Sequence, residues 1–351
     1  MVTVAQLADF DEVIDVRSES EYAEDHIPSA INCPVLNDTE RARIGIIYKQ
    51  VSAFDAKKLG AALVSRNIAR HLETAFSQRP RTWRPLVYCW RGGGRSGALA
   101  HVLQQIGWRA CRLDGGYKAY RRAVIAELEK LPSRLKWRVV CGLTGSGKSR
   151  LLRALAQRSA QVLDLEALAA HRGSVLGDLP GEPQPGQKMF ESLLWAELRR
   201  FDPAHPVFVE AESKKIGNLR VPEALIAAMW GSACMRLEVP TALRVAMLKD
   251  EYQHFVADPG LLGTQLDCLN ALYGQQQVAV WKALAAAGDW NTLVRELLEN
   301  HYDPAYMRST LKHYPHHAHG MRFEITGDSD AAFAQLAAHC LDMIAKSTRI
   351  H

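Results

Sequence analysis

A chain of 351 residues, 48% of them apolar, is long enough for two domains that each bury a core. No uninterrupted apolar run approaches membrane-spanning length, and seven scattered cysteines without a Cys-x-x-Cys pair argue against a disulfide framework or a zinc site. The net charge of +5 hides an asymmetry: residues 66–138 hold 16 Lys/Arg against four acids, with Trp83, Trp90, Trp108, Tyr117, Tyr120 and Trp137 interleaved. Such a face suits single-stranded RNA, and on composition alone it suits a solvated basic surface equally well.

The first 25 residues carry eight acids, the opposite of a secretory or transit peptide, so a soluble protein of the reducing cytoplasm is expected, away from any membrane. Residues 13–17 read as a short strand ending in polar residues, and 18–22 as a turn into a helix. A helical stretch follows over 53–76. Leu86, Val87 and Tyr88 form an apolar β-type run ending in Cys89. Trp90, Arg91, Gly92, Gly93, Gly94 and Arg95 then make a glycine-rich turn, and a helical pattern starts at Ser96 with Leu99, Val102, Leu103 and Ile106. A last strand at 111–113 precedes Asp114-Gly115-Gly116-Tyr117. Strands alternating with helices imply a parallel α/β sheet whose catalytic loops lie at the carboxyl ends of the strands, where Cys89 falls.

In such a loop the inward backbone N–H groups, the helix dipole, Arg91 and Arg95 all favour thiolate over thiol. Gly92, Gly93 and Gly94 let the loop curl without side-chain clashes and make it an anion loop. A buried structural cysteine is the commoner fate of an isolated Cys at a strand end. Three consecutive glycines between two arginines favour a reactive Cys89 with Arg91 and Arg95 as its catalytic companions.

Four ordered motifs carry a resemblance. Asp-Val-Arg-Ser-x-x-Glu-Tyr, Asp-His-Ile-Pro-x-Ala-Ile-Asn, the cysteine loop and Leu-Asp-Gly-Gly-Tyr resemble a rhodanese domain over about residues 4–125. The resemblance implies that Cys89 carries sulfur or a related chalcogen as a persulfide-type intermediate. It also implies a structural Asp15–Arg17 pair, and a His26 that satisfies a turn instead of acting as a base. The spacing Cys89-x5-Arg95 is one residue longer than the usual rhodanese loop. It is similar to that of the rhodanese-related cysteine phosphatases, which place His before the Cys, where this chain has Tyr88. The expected ligand is therefore a phosphate-shaped chalcogen donor.

A helix stop and polar spacing over 127–136 place a boundary there: a first domain at 1–130, a linker at 131–136 and a second domain at 137–351. A strand at 137–141 runs into Gly142-Leu143-Thr144-Gly145-Ser146-Gly147-Lys148-Ser149, and helical periodicity resumes at Leu151, Leu152 and Leu155. This Gly-x4-Gly-Lys-Ser run, in strand–loop–helix context, predicts a phosphate- or diphosphate-binding P-loop. Its backbone N–H groups cradle the phosphates, Lys148 reaches the terminal ones and Ser149 can hold Mg2+. The fold class expected is α/β: an N-terminal rhodanese-like parallel sheet domain, then a P-loop NTPase-like α/β domain with a helical C-terminal part.

Asp164, at the end of a strand, with His171 and Arg172 in the polar loop beyond it, forms a candidate second site. A strand over 206–210 ends in Glu210, where a Walker B carboxylate would lie; Asp is typical there, so metal binding and a capping or ion-pair role weigh equally. A strand at 234–240 and helices at 243–252 and 261–298 follow. His313, His316, His317 and His319 crowd one loop with no acid or Cys at ligand spacing, so no resident metal is expected. A strand at 321–325 and a helix at 331–344 close the chain.

Tyr-Cys-Trp-Arg-Gly-Gly-x-Arg-Ser, Asp-Leu-Glu-x-Leu-Ala-x-His-Arg-Gly-Ser and Glu-Ser-Lys-Lys-Ile-Gly occur in that order. Together they resemble the tRNA 2-selenouridine synthase family over nearly the whole chain. The resemblance implies replacement of sulfur by selenium from selenophosphate in the 2-thiouridine at the tRNA wobble position. It further implies transfer of a geranyl group from geranyl diphosphate to that sulfur, which turns it into a leaving group. On this reading Cys89 takes selenium from selenophosphate while Arg91 and Arg95 neutralise the phosphate. The P-loop holds geranyl diphosphate or a nucleotide; the former is favoured, because the reaction has no obvious step for ATP. No tightly bound cofactor is expected. The expected partners are the tRNA anticodon loop, with a splayed uridine stacked on an aromatic (Trp90 first), and a selenophosphate-supplying enzyme. Two rivals stand beside this: an ATP-dependent tRNA sulfurtransferase, whose usual Ser-Gly-Gly-x-Asp loop is not found, and a non-catalytic nucleotide-switched binding module, against which Cys89 weighs.

Overall fold

The computed structural model describes residues 1–348. The chain forms two units: Met1–Glu127 together with Gly186–Ala196, and Leu128–Pro185 together with the chain from Glu197 onward.

In the first unit β1 (Glu12–Asp15) leads to α1 (Glu19–Glu24), β2 (Ile31–Asn32), α2 (Asp38–Gln50), α3 (Ala53–Glu73), β3 (Pro85–Tyr88), α4 (Gly94–Ile106), β4 (Cys111–Arg112) and α5 (Gly116–Leu128). The strands form a parallel sheet in the order β2-β1-β3-β4, with Asp15 in register with Tyr88. Short apolar strands between helices reach parallel pairing only through such crossovers. Ile14, Val16, Val87, Leu99 and Leu103 are among the side chains of one core cluster. Local signals set the helix starts. Ser18 and Glu21 form a capping box at α1, and Asn37 and Glu40 another at α2.

In the second unit β5 (Lys136–Cys141) leads to α6 (Lys148–Ala156), β6 (Gln161–Leu163) and α7 (Leu165–Ala169). After α8 (Gln187–Leu198) come β7 (Pro206–Glu210), a small hairpin of β8 (Lys215–Ile216) and β9 (Leu219–Arg220), α9 (Glu223–Trp230) and β10 (Ala233–Glu238). Next are α10 (Thr241–Glu251), α11 (Gln253–Ala257), α12 (Pro259–Leu266), α13 (Asn270–Ala286), α14 (Trp290–Leu297), α15 (Asp303–His313), β11 (Met321–Glu324) and α16 (Asp330–Thr348). The five-stranded sheet is parallel, ordered β11-β10-β5-β7-β6. Its central strand is β5: the chain builds β6 and β7 on one side of it and then β10 and β11 on the other, so the strand order reverses there. Ligands of open α/β sheets bind beyond the carboxyl end of such a strand, where the P-loop begins.

Three expectations need revising. The stretch 261–298 is not continuous helix: a 3-10 turn at Asp267–Leu269, a kink at Gly274 and a break between α13 and α14 divide it. The segment 131–136 is not a free linker. It holds a 3-10 turn at Pro132–Arg134, pinned by Trp137 Nε1 donating to Pro132 O at 2.8 Å. Most of α8, assigned by sequence position to the second domain, belongs to the first unit. There Ser192 Oγ donates to Asp25 Oδ1 at 2.7 Å, Arg121 pairs with Glu191, and Trp195 meets Tyr120 edge-on at 5.4 Å. Helical periodicity tells which face is buried and not which sheet buries it. No described helix is long and apolar enough to cross a membrane.

Candidate functional site

Cys89 follows β3, between β1 and β4 in the sheet. Its carbonyl accepts from Tyr117 N at 2.8 Å, and the Trp90 carbonyl accepts from Lys118 N at 3.1 Å. Gly116, at φ +57°, lies so close that any Cβ would run into the Cys89 carbonyl. The Asp-Gly-Gly-Tyr motif is therefore the wall that shapes the cysteine loop.

The Cys89 thiol is buried, 4% exposed, with Sγ 3.2 Å from Ser96 Oγ at the start of α4. Burial works against its ionisation. Hydrogen bonds from the Ser96 hydroxyl and backbone, the Arg95 charge and the Arg91 N–H outweigh it, and the thiol titrates below its ordinary value. The sequence marks Ser96 only as the start of a helix; its place in the first turn after Cys89 is the signal that sets its hydroxyl against the thiol. Ser96→Ala is expected to raise the pH midpoint of Cys89 alkylation by iodoacetamide by about one unit, the scale of one hydrogen bond to a charged group. An unchanged midpoint would contradict this account of the thiolate.

Of the two expected anion-binding arginines, Arg91 is exposed. Arg95 is already engaged, its Nη1 2.7 Å from Glu21 Oε2. Burial would raise the Glu21 carboxyl, yet Arg95, with smaller help from Ser18 N–H and Arg41, holds it below the usual carboxylate range. Arg91 is thus the more exposed of the two, while Arg95 braces the loop against Glu21 of α1. Asp15 and Arg17 form the buried pair that the motif implies, at 2.6 Å. Arg17 also donates to Asp25 O at 2.6 Å and lies 4.1 Å over the Tyr117 ring, so one guanidinium ties together the segments around Cys89. His26 stacks on Tyr22 and has Nδ1 2.9 Å from Tyr22 O, a turn role. Trp90 stacks on Tyr117 with centroids 5.2 Å apart, which occupies one of its faces.

In the second unit Gly142 to Ser149 wrap the start of α6. Gly147 caps the helix at φ +75°, a conformation that excludes most side chains, and a Cβ there would strike Phe333. Gly142 N donates to Tyr306 Oη at 2.8 Å, and Arg244, paired with Asp303, donates to Thr144 O at 2.8 Å. Lys148 Nζ donates to Gly142 O at 3.0 Å. Thr144, Gly145, Ser146, Gly147, Lys148 and Ser149 all line one cavity of about 1370 Å³, counting its open mouth. Arg150, Arg153 and Arg172 line it too.

Opposite the lysine the cavity holds Glu166, Glu210 and Glu212, each offering an oxygen within 4.8 Å of the others. Ser149 Oγ lies 3.3 Å from Glu166 and 3.5 Å from Glu210. Burial first, then mutual repulsion, pushes Glu166 up to about 8 and Glu210 well above the carboxylate range; burial alone carries Glu212 to about 7. Glu210 Oε1 is buried with no partner. Three crowded carboxylates beside a P-loop serine, with one buried oxygen left without a partner, fit a divalent cation. Glu166 and Glu212 were quoted within motifs but given no role; only the fold brings them to Glu210. Asp164 instead caps α7, accepting from Ala167 N at 2.8 Å. His171 settles its own turn, with Nδ1 accepting from Gly173 N at 3.0 Å and Nε2 3.4 Å from Asp178. Of that candidate second site, Arg172 and Glu210 reach the cavity. His313 stacks on Trp230, and among the described residues no metal-ligand cluster forms in the histidine loop.

Beside the phosphate cavity lies a second pocket that nothing in the sequence signals. It measures about 590 Å³ including its open mouth. Leu176, Phe255, Leu262, Trp290, Leu293 and Leu297 wall it, and it shares Thr144, Ser174, Leu248, Tyr252 and Tyr302 with the P-loop cavity. The P-loop cavity and an apolar slot are thus neighbours across a shared rim.

A family model described as "tRNA 2-selenouridine synthase AAA domain" matches residues 135–260, and one described as "Rhodanese-like domain" matches residues 3–123. Proteins named tRNA 2-selenouridine synthase are similar in sequence. The one from Nitrosomonas europaea is 36% identical over 247 residues, 68% of this chain and 63% of its own length. That from Aeromonas salmonicida is 36% identical over 245 residues, 69% and 65% of the two chains. That from Hydrogenovibrio crunogenus is 37% identical over 249 residues, 68% and 67%. The matched region thus spans a little under two thirds of the first two relatives. A rhodanese-like match followed by a match specific to the synthase P-loop domain, joined by these relatives, places the chain in the tRNA 2-selenouridine synthase family.

Proposed function

We propose that this protein replaces the sulfur of 2-thiouridine at the tRNA wobble position with selenium, by way of an S-geranylated intermediate. The observation that carries the reading is the hydrocarbon slot sharing a rim with the P-loop cavity. A nucleotide base needs hydrogen-bond partners, and the slot offers few; a diphosphate with an apolar tail uses both compartments.

In the first step the C2 sulfur of the tRNA attacks C1 of geranyl diphosphate. The C–O bond breaks, the N3 proton of the 2-thiouridine passes to solvent, and diphosphate leaves with the electron pair into the P-loop N–H groups and Lys148. Ser149, Glu166, Glu210 and Glu212 would hold Mg2+, which when bound would offset the charge of the diphosphate.

The second step belongs to the loop of Cys89. Drawing selenium onto the cysteine sulfur from selenophosphate would require an oxidant. Attack of the Cys89 thiolate on phosphorus does not: an S–P bond forms, the P–Se bond breaks and hydroselenide leaves. Hydroselenide adds to C2, its proton passes to N3 and geranylthiolate departs with its electron pair; water then frees phosphate from the cysteine. Arg91 and the loop N–H groups meet the phosphate. Of the aromatics expected over 66–138, Trp83, Tyr117, Tyr120 and Trp137 are buried in the core and cannot stack on a base, so the exposed Lys/Arg of that stretch would contact the anticodon loop. A selenophosphate-forming enzyme would act upstream, and the cytoplasm is the expected setting.

Equilibrium binding of geranyl diphosphate, inorganic diphosphate and ATP to the whole chain tests the reading. Geranyl diphosphate is expected to bind at least about tenfold tighter than inorganic diphosphate, since burying only part of the tail supplies ~1.4 kcal/mol. Tighter binding and turnover of ATP would favour an ATP-dependent sulfurtransferase instead.

A further inference from the structure

We propose that the hairpin of α2 and α3 is an RNA-gripping arm rooted beside the cysteine loop; the inference rests on tRNA being the substrate. Helix α2 has 13 residues, including Ile44, Ile46, Ile47 and Tyr48, yet none of them is buried. A helix in a globular unit ordinarily hides its apolar residues; here Ile44 and Ile47 are half-buried, Ile44 close to Gly60 of α3, while others stay in solvent. Ile46 is 54% exposed, Tyr48 57%, Val51 73% and Phe54 74%. Around them Arg43, Lys49, Lys57 and Lys58 are exposed, with Asp55 the sole acid from residue 43 to 58. Cations alternating with exposed rings suit phosphates and unstacked bases, and the cationic excess separates this tip from an ordinary apolar protein contact.

The root of the arm is fixed where function would need it. Glu21 accepts from Arg41 at 3.2 Å near the start of α2 and from Arg95 of the cysteine loop at 2.7 Å. Ser20 Oγ donates to Asp38 Oδ1 at 2.5 Å, and Asn67 Nδ2 donates to Glu40 at 2.7 Å. From that base α2 extends about 20 Å at 1.5 Å per residue. The arm's root, tied to the cysteine loop through Glu21, and its cationic, aromatic tip would thus hold different parts of one RNA strand.

The test uses the full chain, a 2-thiouridine anticodon stem-loop and filter binding across a salt series. One variant combines Arg43→Gln, Lys49→Gln, Lys57→Gln and Lys58→Gln; another combines Tyr48→Ala and Phe54→Ala. The charge variant is expected to weaken binding at least tenfold and to flatten the slope of log K against log salt by about 3. The aromatic variant should weaken binding about tenfold or more at every salt concentration with the slope kept. Iodoacetamide reactivity of Cys89 should be unchanged in both, which separates the arm from damage to the loop. RNA binding by the parent chain with both variants unaffected would overturn the arm alone. A parent chain that holds no RNA would remove the tRNA reading and the arm with it. Lost self-association with RNA affinity intact would assign the hairpin to a protein interface and overturn the proposal.

Discussion

Lys148→Ala is expected to lower geranyl transfer to a 2-thiouridine stem-loop by about 100- to 1000-fold, the usual cost of removing one preorganised donor from a developing anion. Lys148 Nζ bonds to the Gly142 carbonyl, inside the loop whose N–H groups would take the leaving diphosphate. It also faces Glu166, Glu210 and Glu212, whose titration it holds down. Alanine therefore removes the cation that receives the diphosphate and leaves three crowded carboxylates opposite it. The Cys89 loop is built from other residues, so iodoacetamide should still alkylate Cys89 at the parent rate. Rates of geranyl transfer at saturating RNA check the prediction, and a loss below about tenfold would remove Lys148 from the step.

Cys89→Ala should give the opposite pattern. Selenouridine formation is expected to fall by at least about 1000-fold, the scale of losing a nucleophile, while geranyl transfer stays near the parent rate and geranylated RNA accumulates. Cysteine is the one group in that loop that pairs a lowered pKa with a position among glycine N–H groups and Arg91. Mass spectrometry of RNA nucleosides over time separates the steps. Selenouridine formed at the parent rate by the alanine variant would show that the loop only binds selenophosphate.

Both the cysteine loop and the P-loop were legible because each is a short run that states its own geometry. Three glycines between arginines after a β-type run, and Gly-x4-Gly-Lys-Ser between strand and helix, need no distant partner to be read. What escaped the sequence is what distant segments assemble. Glu166 sits in the short helix α7 and Glu212 after a strand, and they become a carboxylate trio with Glu210 only in the fold. The hydrocarbon slot draws on Thr144 of the P-loop, Ser174 and Leu176 of a later loop and helix residues as far as Tyr302, and only the fold brings them together. Arg95 reads as a free anion ligand until Glu21, 74 residues earlier, is placed against it. Asp164 and His171 show the converse. A polar residue at a strand end suggests chemistry, but a cap and a turn were the nearer uses. Helix α8 shows that chain order does not fix which core a helix joins.

The central claim is that each loop drives one step of a sulfur-to-selenium exchange without ATP. Its most direct test incubates the purified chain with 2-thiouridine and uridine stem-loops and adds geranyl diphosphate and selenophosphate, singly and together, before nucleoside masses are read. The account predicts S-geranyl-2-thiouridine with geranyl diphosphate alone, and 2-selenouridine when both are present. No mass change in the absence of ATP, with oxygen-to-sulfur exchange on the uridine stem-loop once ATP and a sulfur donor are supplied, would contradict it.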